Sequence, residues 1–388
     1  MEFSRRLDAF GDEVFASLNA RRRELEAEGR TIVDLSVGTP DFEPPAHVVD
    51  ALVEAAADPA NWKYSLHDTD ELLDAVCAYY RRRFGVEITP DMVMMVSGTQ
   101  EGMGHLALAL LDPGDSILVP DPCYPIFAGA AHIAGATPVY YPLTRENGFR
   151  PDVSSIDSAT ADEATYMVVS LPANPVGSVS AEGLYEGIIE FAREHDLLIV
   201  HDNAYSDIVF DGPAGGSFLS FPGAVDVGVE FFSLSKSFNV TGARLSFLVG
   251  RPDVVAALRK LRGQIDFGTF MPLQKAAIAA LEGPLEPVEE QRLAYQGRRD
   301  ALADGLEAIG WDRPNAKGTM FMWARLPERY AADSMAFAEE LMERAGIIVT
   351  PGSSFGPEGE GYVRFALVRP AEELAAAAAA IGEAGFGA

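Results

Sequence analysis

Cysteine is nearly absent from this chain: Cys77 and Cys123 are the only two in 388 residues. That excludes a disulfide framework, and two cysteines so far apart give no zinc spacing. A reducing compartment, the cytoplasm, is the expectation. Long apolar runs are missing too. No stretch approaches the ~20 residues that a membrane-spanning helix needs. The N-terminal "MEFSRRLDAFGDEVFASLNARRRELEAEG" lacks the continuous apolar centre of a signal peptide and reads as an amphipathic helix. The alanine-rich tail after Ala371, broken by Glu and Gly, reads as a packed terminal helix. Positive charge is also scarce. Lys and Arg total 30 against 58 Asp and Glu, a formal net charge of −28, which is the wrong sign for a nucleic-acid partner. It does not exclude an anionic small ligand, because a basic pocket can sit inside an acidic protein.

What is present is enough apolar material for a large core, 48% of residues, with no internal repeats or low-complexity linkers. From Val48 onward short apolar runs alternate with helical stretches: "MVMMVS" (92–97), "SILVP" (116–120), "TPVYYPL", "TYMVVSLP", "LLIVHDNAY", "GVEFFSLS" and "RLSFLVG". Runs with no polar face suit a parallel sheet covered by helices on both sides, so the expectation is an α/β layered domain. After about Gly283 the pattern changes. A long helix with polar faces is followed by "MFMWARL", a helix over 333–345, "GIIVTPG", "GYVRFALV" and a final helix. These predict a large domain over 45–284 and a smaller α+β domain over 285–388. The N-terminal segment 1–44 is expected to pack with the smaller one, through the Pro- and Gly-rich loop "LSVGTPDFEPP".

Polar motifs stand at the carboxyl ends of the predicted strands, where ligands bind in open α/β sheets. "SGTQEG" (97–102) opens a helix; its hydroxyls and N–H groups suit a phosphate, or are an ordinary N-cap by Ser97 or Thr99. In "PDPCYPIF" Tyr124 is held between prolines, to stack on a flat ligand or simply to pack. "LPANPVG" places Asn174 in a turn, with its amide in a cleft as the functional alternative. In "LLIVHDNAYSDIVF", Asp202 ends a strongly apolar strand and Tyr205 follows; an acid there needs a cation or strong donors unless it caps a helix. His195 and His201 show no metal-like spacing, and no metal site is predicted. Finally "FFSLSKSFNVTGARLSF" sets Ser233, Ser235, Lys236 and Arg244 between two apolar runs. Two hydroxyls and a guanidinium make a phosphate clamp, and a lysine beside it can act as an amine nucleophile toward a carbonyl. A surface turn with a solvated lysine is the alternative, disfavoured by the apolar flanks.

Taken together these motifs resemble the fold-type I enzymes that use pyridoxal 5′-phosphate, in particular the class I/II aminotransferases. "SLSKSFNVTGARLSF", "ANPVG", "HDNAY", "PDPCYP" and "YVRFAL" match five family blocks in order, over a span from about Leu35 to Val368. The resemblance implies an aspartate-aminotransferase-like fold and a homodimer with shared sites. It implies that Lys236 holds the cofactor as a Schiff base and moves the protons. Asp202 would pair with the ring nitrogen, Tyr205 and Asn174 would bond the ring's phenolic oxygen, and Tyr124 would stack on the ring. Ser233, Ser235 and Arg244, with the N–H groups of Gly98, Thr99 and Gln100, would grip the phosphate. Arg364 would take the substrate α-carboxylate, Gly38 would lie in a loop over the substrate, and Tyr64 would reach the neighbouring subunit's phosphate.

Within the family the chain looks most like LL-diaminopimelate aminotransferases and their bacterial relatives, which implies a long polar amino donor and 2-oxoglutarate. Two departures bear on the substrate. Those enzymes usually read Ser-Lys-Glu where this chain has Thr99, Gln100 and Glu101, and their Pro- and Gly-containing stretch appears here as "YSLHDTDELL". An aspartate or alanine aminotransferase, or one of broad range, stays open. So does a C–S lyase of the same fold. A non-catalytic sensor fused to a DNA-binding domain ranks far behind, since the charge is wrong and no helix-turn-helix segment is expected ahead of the fold.

Overall fold

A computed structural model describes residues 3–10, 14–213 and 215–387. The strands, in chain order, are β1 (Val33–Asp34), β2 (Val93–Ser97), β3 (Ser116–Asp121), β4 (Thr137–Pro142), β5 (Ala164–Ser170), β6 (Leu198–Asn203), β7 (Gly228–Ser233), β8 (Leu245–Gly250), β9 (Phe321–Arg325), β10 (Ile347–Ile348), β11 (Thr350–Pro351) and β12 (Tyr362–Ala366). Seven of them form one sheet in the order β2-β8-β7-β6-β5-β3-β4. Only β8 runs against the rest, antiparallel to both β2 and β7. The connection from β7 to β8, residues 234–244, is shorter than the roughly dozen residues a parallel crossover takes.

Helices cover both faces of this sheet, which explains why its strands carry no polar side. Neighbouring residues serve opposite layers: Phe232, Met95 and Ile199 pack with Tyr79 and Tyr80, while Phe231, Val96 and Val200 pack with Phe127 and Leu248. Each such fully buried phenylalanine or aliphatic side chain contributes about 1.5–3 kcal/mol. One charged residue interrupts the layers. Glu230 on β7 is completely buried and accepts from Tyr80 Oη, Ser217 Oγ and the Phe218 N–H, each at 2.9 Å. His201 on β6 faces it at 3.1 Å and reaches Tyr185 Oη at 2.9 Å on its other side.

The second core lies toward the C-terminus. Strands β11, β12 and β9 form an antiparallel sheet, and the long helix Glu286–Ala308 packs beside the terminal helix Ala371–Ile381. β1 pairs in parallel with β10, Val33 opposite Ile347, so the N-terminal segment is stitched to this unit by backbone hydrogen bonds. The single N-terminal helix read from the sequence is corrected here. A 3-10 turn, Arg5–Ala9, is capped by Ser4 and ends at extended Phe10; a separate helix spans Val14–Ala27. No helix among the described residues is long and apolar enough to cross a membrane.

Candidate active site

The six parallel strands of the large sheet end on one edge, and β8 begins there. That edge and the β9–β12 unit enclose a cavity of about 450 Å³. Its acid–base content is lopsided. Lys236, Arg244 and Arg364 line it, and Asp202 is its one lining carboxylate among the described residues.

Lys236 sits in the short helix Leu234–Ser237 that follows β7. Ser233 caps this helix by accepting from the Ser235 N–H at 3.2 Å, and its hydroxyl is also met by Ser246 Oγ at 2.8 Å. The lysine amine donates to the Gly38 carbonyl at 2.5 Å. Burial, then the neighbouring Arg364 and Arg244 charges, lower its pKa to about 8. The loop is braced from behind. Gln291, buried in the long helix, donates to the Lys236 carbonyl at 2.7 Å and accepts from Asn239 Nδ2 at 2.6 Å. Ser237 Oγ donates to Asp207 at 2.7 Å, and Arg83 holds the other carboxylate oxygen at 2.8 Å.

Asp202, at the end of β6, is buried, and its Oδ1 has no hydrogen-bond partner among the described residues. Burial, then the charge of Glu230, raise its pKa to about 7, against the opposing pull of the Ala204 N–H and the Ser170 hydroxyl. A carboxyl in this condition is suited to a donor that arrives with a ligand. Tyr205 lies nearby, edge-on to Phe321 at 6.0 Å.

The phosphate-clamp candidates lie together at one end of the cavity. Gly98 has φ +86°, and a Cβ there would lie 2.0 Å from Arg244 Nη2, so the guanidinium rests on the glycine backbone. Gly98 is therefore beneath the cavity and does not line it. The helix Thr99–Leu110 starts at that point, and the buried Thr99 Oγ1 has no partner among the described residues. Ser233, Ser235, Thr99 and Gln100 line the same region. Gln100 Oε1 accepts from Tyr124 Oη at 3.1 Å and holds that ring in place.

Arg364 on β12 is 5% exposed and has no carboxylate partner among the described residues. Its Nη1 donates to Asn174 Oδ1 at 2.9 Å, and its Nη2 to the Ser36 carbonyl at 2.9 Å and Thr350 Oγ1 at 3.3 Å. The guanidinium lies 3.9 Å from the Phe321 ring centroid and 4.7 Å from that of Phe355. Burial lowers its pKa to about 10. Neutral acceptors orient this cation without neutralising it, which suits an incoming carboxylate. Gly38 lies against Phe321, where a Cβ would come within 2.5 Å of the ring.

Of the residues singled out from sequence, Tyr64 alone stands apart from this cluster. It is 84% exposed on the surface, edge-on to Phe267 at 5.9 Å. Sequence reasoning missed Ser36, Thr350, Phe321 and Phe355 around Arg364, Gln291 behind Lys236 and Glu230 behind Asp202. The only available signal was an acid inside the apolar run "GVEFF", which marks Glu230 as needing buried partners.

Comparisons with known proteins identify the family. The sequence profile for "Aminotransferase class I and II" matches residues 30–381. The LL-diaminopimelate aminotransferase of Moorella thermoacetica is 41% identical over 378 residues, 96% of each chain. Among solved structures, a probable N-succinyldiaminopimelate aminotransferase from Thermus thermophilus superposes with a TM-score of 0.91 at 37% identity, covering 96% of this chain and 100% of that one. Aspartate aminotransferase from Thermus thermophilus with maleate gives a TM-score of 0.91 at 29% identity, covering 99% and 100%.

Proposed function

The chain belongs to the class I and II aminotransferases and is a transaminase; from that premise we propose that it uses pyridoxal 5′-phosphate, attached to Lys236, to move an amino group between an L-amino acid and a 2-oxo acid. The observation that carries the cofactor assignment is the cavity's charge content. Three cations and one carboxylate whose oxygen has no partner among the described residues surround a space suited to a phosphate, a carboxylate and one protonated ring nitrogen.

Each side chain then has a task set by its surroundings. Arg244, Thr99, Ser233, Ser235 and the N–H groups at the start of the Thr99–Leu110 helix would hold the phosphate, where the helix dipole adds to the guanidinium charge. Asp202 would accept the ring N–H and keep it protonated; the fold raises this carboxyl's pKa, and that cationic donor restores the charged form. Tyr124 would cover the ring face, with Tyr205 and Asn174 at its oxygen. When bound, the cofactor supplies an electron sink for the pair left behind as the substrate Cα loses its proton. Lys236, lowered toward neutrality, is the base that removes that proton and returns it elsewhere. Arg364 would fix the α-carboxylate and so aim the Cα–H bond, converting binding energy into orientation.

The finer reading is LL-diaminopimelate as donor, which the name of the Moorella relative supports, with 2-oxoglutarate as acceptor. A homodimer with shared sites is supported by exposed aromatic residues that meet in pairs, Trp62 with Phe270 at 5.2 Å and Tyr64 with Phe267 at 5.9 Å. Residues 45–284 are taken as the cofactor unit and 285–388, joined by 1–44, as the smaller one. Cytoplasmic work is consistent with both cysteines being free and buried. A panel of amino donors with 2-oxoglutarate tests the assignment. Glutamate formed from LL-diaminopimelate is expected; pyruvate and ammonia in place of a new amino acid would convert the reading to a lyase. A Lys236→Ala protein that still binds the cofactor covalently would end it.

A further inference from the structure

A second cavity, of about 390 Å³, lies outside the one just described. Its size is in the range of small-molecule sites. Its lining reverses the sign of the protein. Arg145, Arg150, Arg313, Lys317 and Arg325 face it with Asp312 as the one lining carboxylate among the described residues, in a chain of net charge −28. Arg145 and Arg325 share that single acid, at 3.0 and 3.8 Å. Arg313 and Lys317 are held from outside the cavity, by Asp304 and Glu307 and by Asp211. Arg150 makes no ion pair among the described residues; its Nε donates to the Val179 carbonyl at 2.8 Å, which fixes the guanidinium in place.

One wall is aromatic, with Tyr362 laid over the buried Trp323. Trp323 and Tyr362 stack at 5.3 Å between centroids with only 9° between their planes, and Phe149 meets Tyr362 edge-on at 5.7 Å. The motif "PLTRENGFRPD", for which the catalytic cavity has no use, supplies Arg145, Gly148, Phe149 and Arg150 to this one. Tyr362 stands two residues before Arg364 on β12, and Trp323 is the register partner of Arg364 on β9. The cavity therefore backs onto the strands that carry the carboxylate-binding arginine.

We propose that this second cavity is a binding site for a small anion of charge −2 or more that carries a flat ring. The ring lies against Tyr362, which the buried Trp323 backs, and the anionic group meets Arg145, Arg150 and Arg325. Bidentate guanidinium pairing and stacking on aromatic faces are the two contacts for which arginine and tyrosine are suited. The site is independent of the transaminase reading, because it shares no lining residue with the catalytic cavity.

Calorimetric titration of the holoenzyme tests it with four probes. Adenosine 5′-monophosphate and benzene-1,3,5-tricarboxylate carry both ring and charge from different chemical sources; inorganic phosphate has charge alone, and adenosine ring alone. At least one of the first two is expected to bind once per chain with Kd below about 1 mM, at least about tenfold tighter than either half-probe. The cofactor's absorption band should stay constant throughout. The double change Arg145→Gln with Arg325→Gln is expected to weaken that binding about tenfold or more, while Asp312→Asn tightens it. General damage to the fold would weaken binding in both variants, so the opposite signs separate the two causes. The proposal is overturned if neither ring-bearing anion outbinds phosphate, if the double variant binds as wild type does, or if binding perturbs the cofactor band.

Discussion

The lysine amine offers a sharp quantitative test. Its pKa falls from 10.5 to about 8 in the cofactor-free protein, because burial disfavours the ammonium and Arg364 and Arg244 repel it. At pH 8 about half of the amine is then neutral, against roughly 0.3% for an ordinary lysine, a gain of about 150-fold in nucleophile. The same shift amounts to about 3 kcal/mol of disfavoured charge. Its effect on folding has a definite sign. Between about pH 8 and 10.5 the unfolded chain holds a proton that the folded one has released, so this group's cost to stability is full below pH 8 and is lifted as pH rises toward 10.5.

Trace acetylation of the cofactor-free protein across pH 6–11, read peptide by peptide by mass spectrometry, measures this directly. The chain has only five lysines, Lys63, Lys236, Lys260, Lys275 and Lys317, so Lys236 is easily resolved. Its labelling midpoint should fall near 8 in the folded protein and near 10.5 in urea. Arg364→Gln should move the folded midpoint upward, since Arg364 is the larger of the two repelling charges. A folded midpoint at or above 10 would refute the reasoning, because it would mean that neither burial nor the two guanidinium groups act on the amine.

Three further predictions concern the candidate site residues. Asp202→Asn should stabilise the cofactor-free protein at pH 8: the raised carboxyl pKa means stability is lost as pH rises through about 7, by up to about 4 kcal/mol. The gain in urea unfolding should shrink at pH 5, and a pH-independent difference would contradict it; cofactor affinity should fall. Arg364→Gln should weaken amino-acid binding by about 2–5 kcal/mol with cofactor binding kept, as judged by spectral titration; equal affinity in both proteins would remove Arg364 from the carboxylate role. Mixed Tyr64→Phe and Lys236→Ala subunits should recover partial activity over either parent, and no recovery would argue against sites shared between chains.

The large sheet was legible because its strands are apolar on both sides. "MVMMVS", "SILVP" and "GVEFFSLS" could not be helices facing water, and each became a strand within a residue or two of the expected ends. The direction of β8 was not evident from such runs, since an apolar run is the same read either way; the length of the 234–244 connection decides it. The N-terminus misled for a different reason. Helical spacing continues through "MEFSRRLDAF", but Ser4 caps a 3-10 turn there and Phe10 is extended, against the ring of His132 at 6.3 Å. Side-chain periodicity records which face is apolar; it does not record where the backbone turns.

The same distinction divides the site. Residues that would touch a ligand are confined to few types by what they must do: among side chains only a primary amine condenses with an aldehyde with loss of water, and only a guanidinium offers a planar bidentate fork. Those types stood out at the strand ends, and all but Tyr64 and Gly98 line one cavity. The groups that hold them have no such restriction. A carbonyl of Ser36 steadies Arg364, and any residue would supply it. Gln291 braces Lys236 from a helix rich in polar residues, and nothing in "EPVEEQRLAYQ" marks it among them. The buried Glu230, satisfied by four donors including His201, acts on Asp202 without being part of the cavity. Reactivity here is thus set twice, once by residue type and once by how much opposing charge the fold withholds. Lys236 and Arg364 both stay short of counter-charge because their supports are carbonyls, amides and rings, and that shortage is what a phosphate and a carboxylate would relieve.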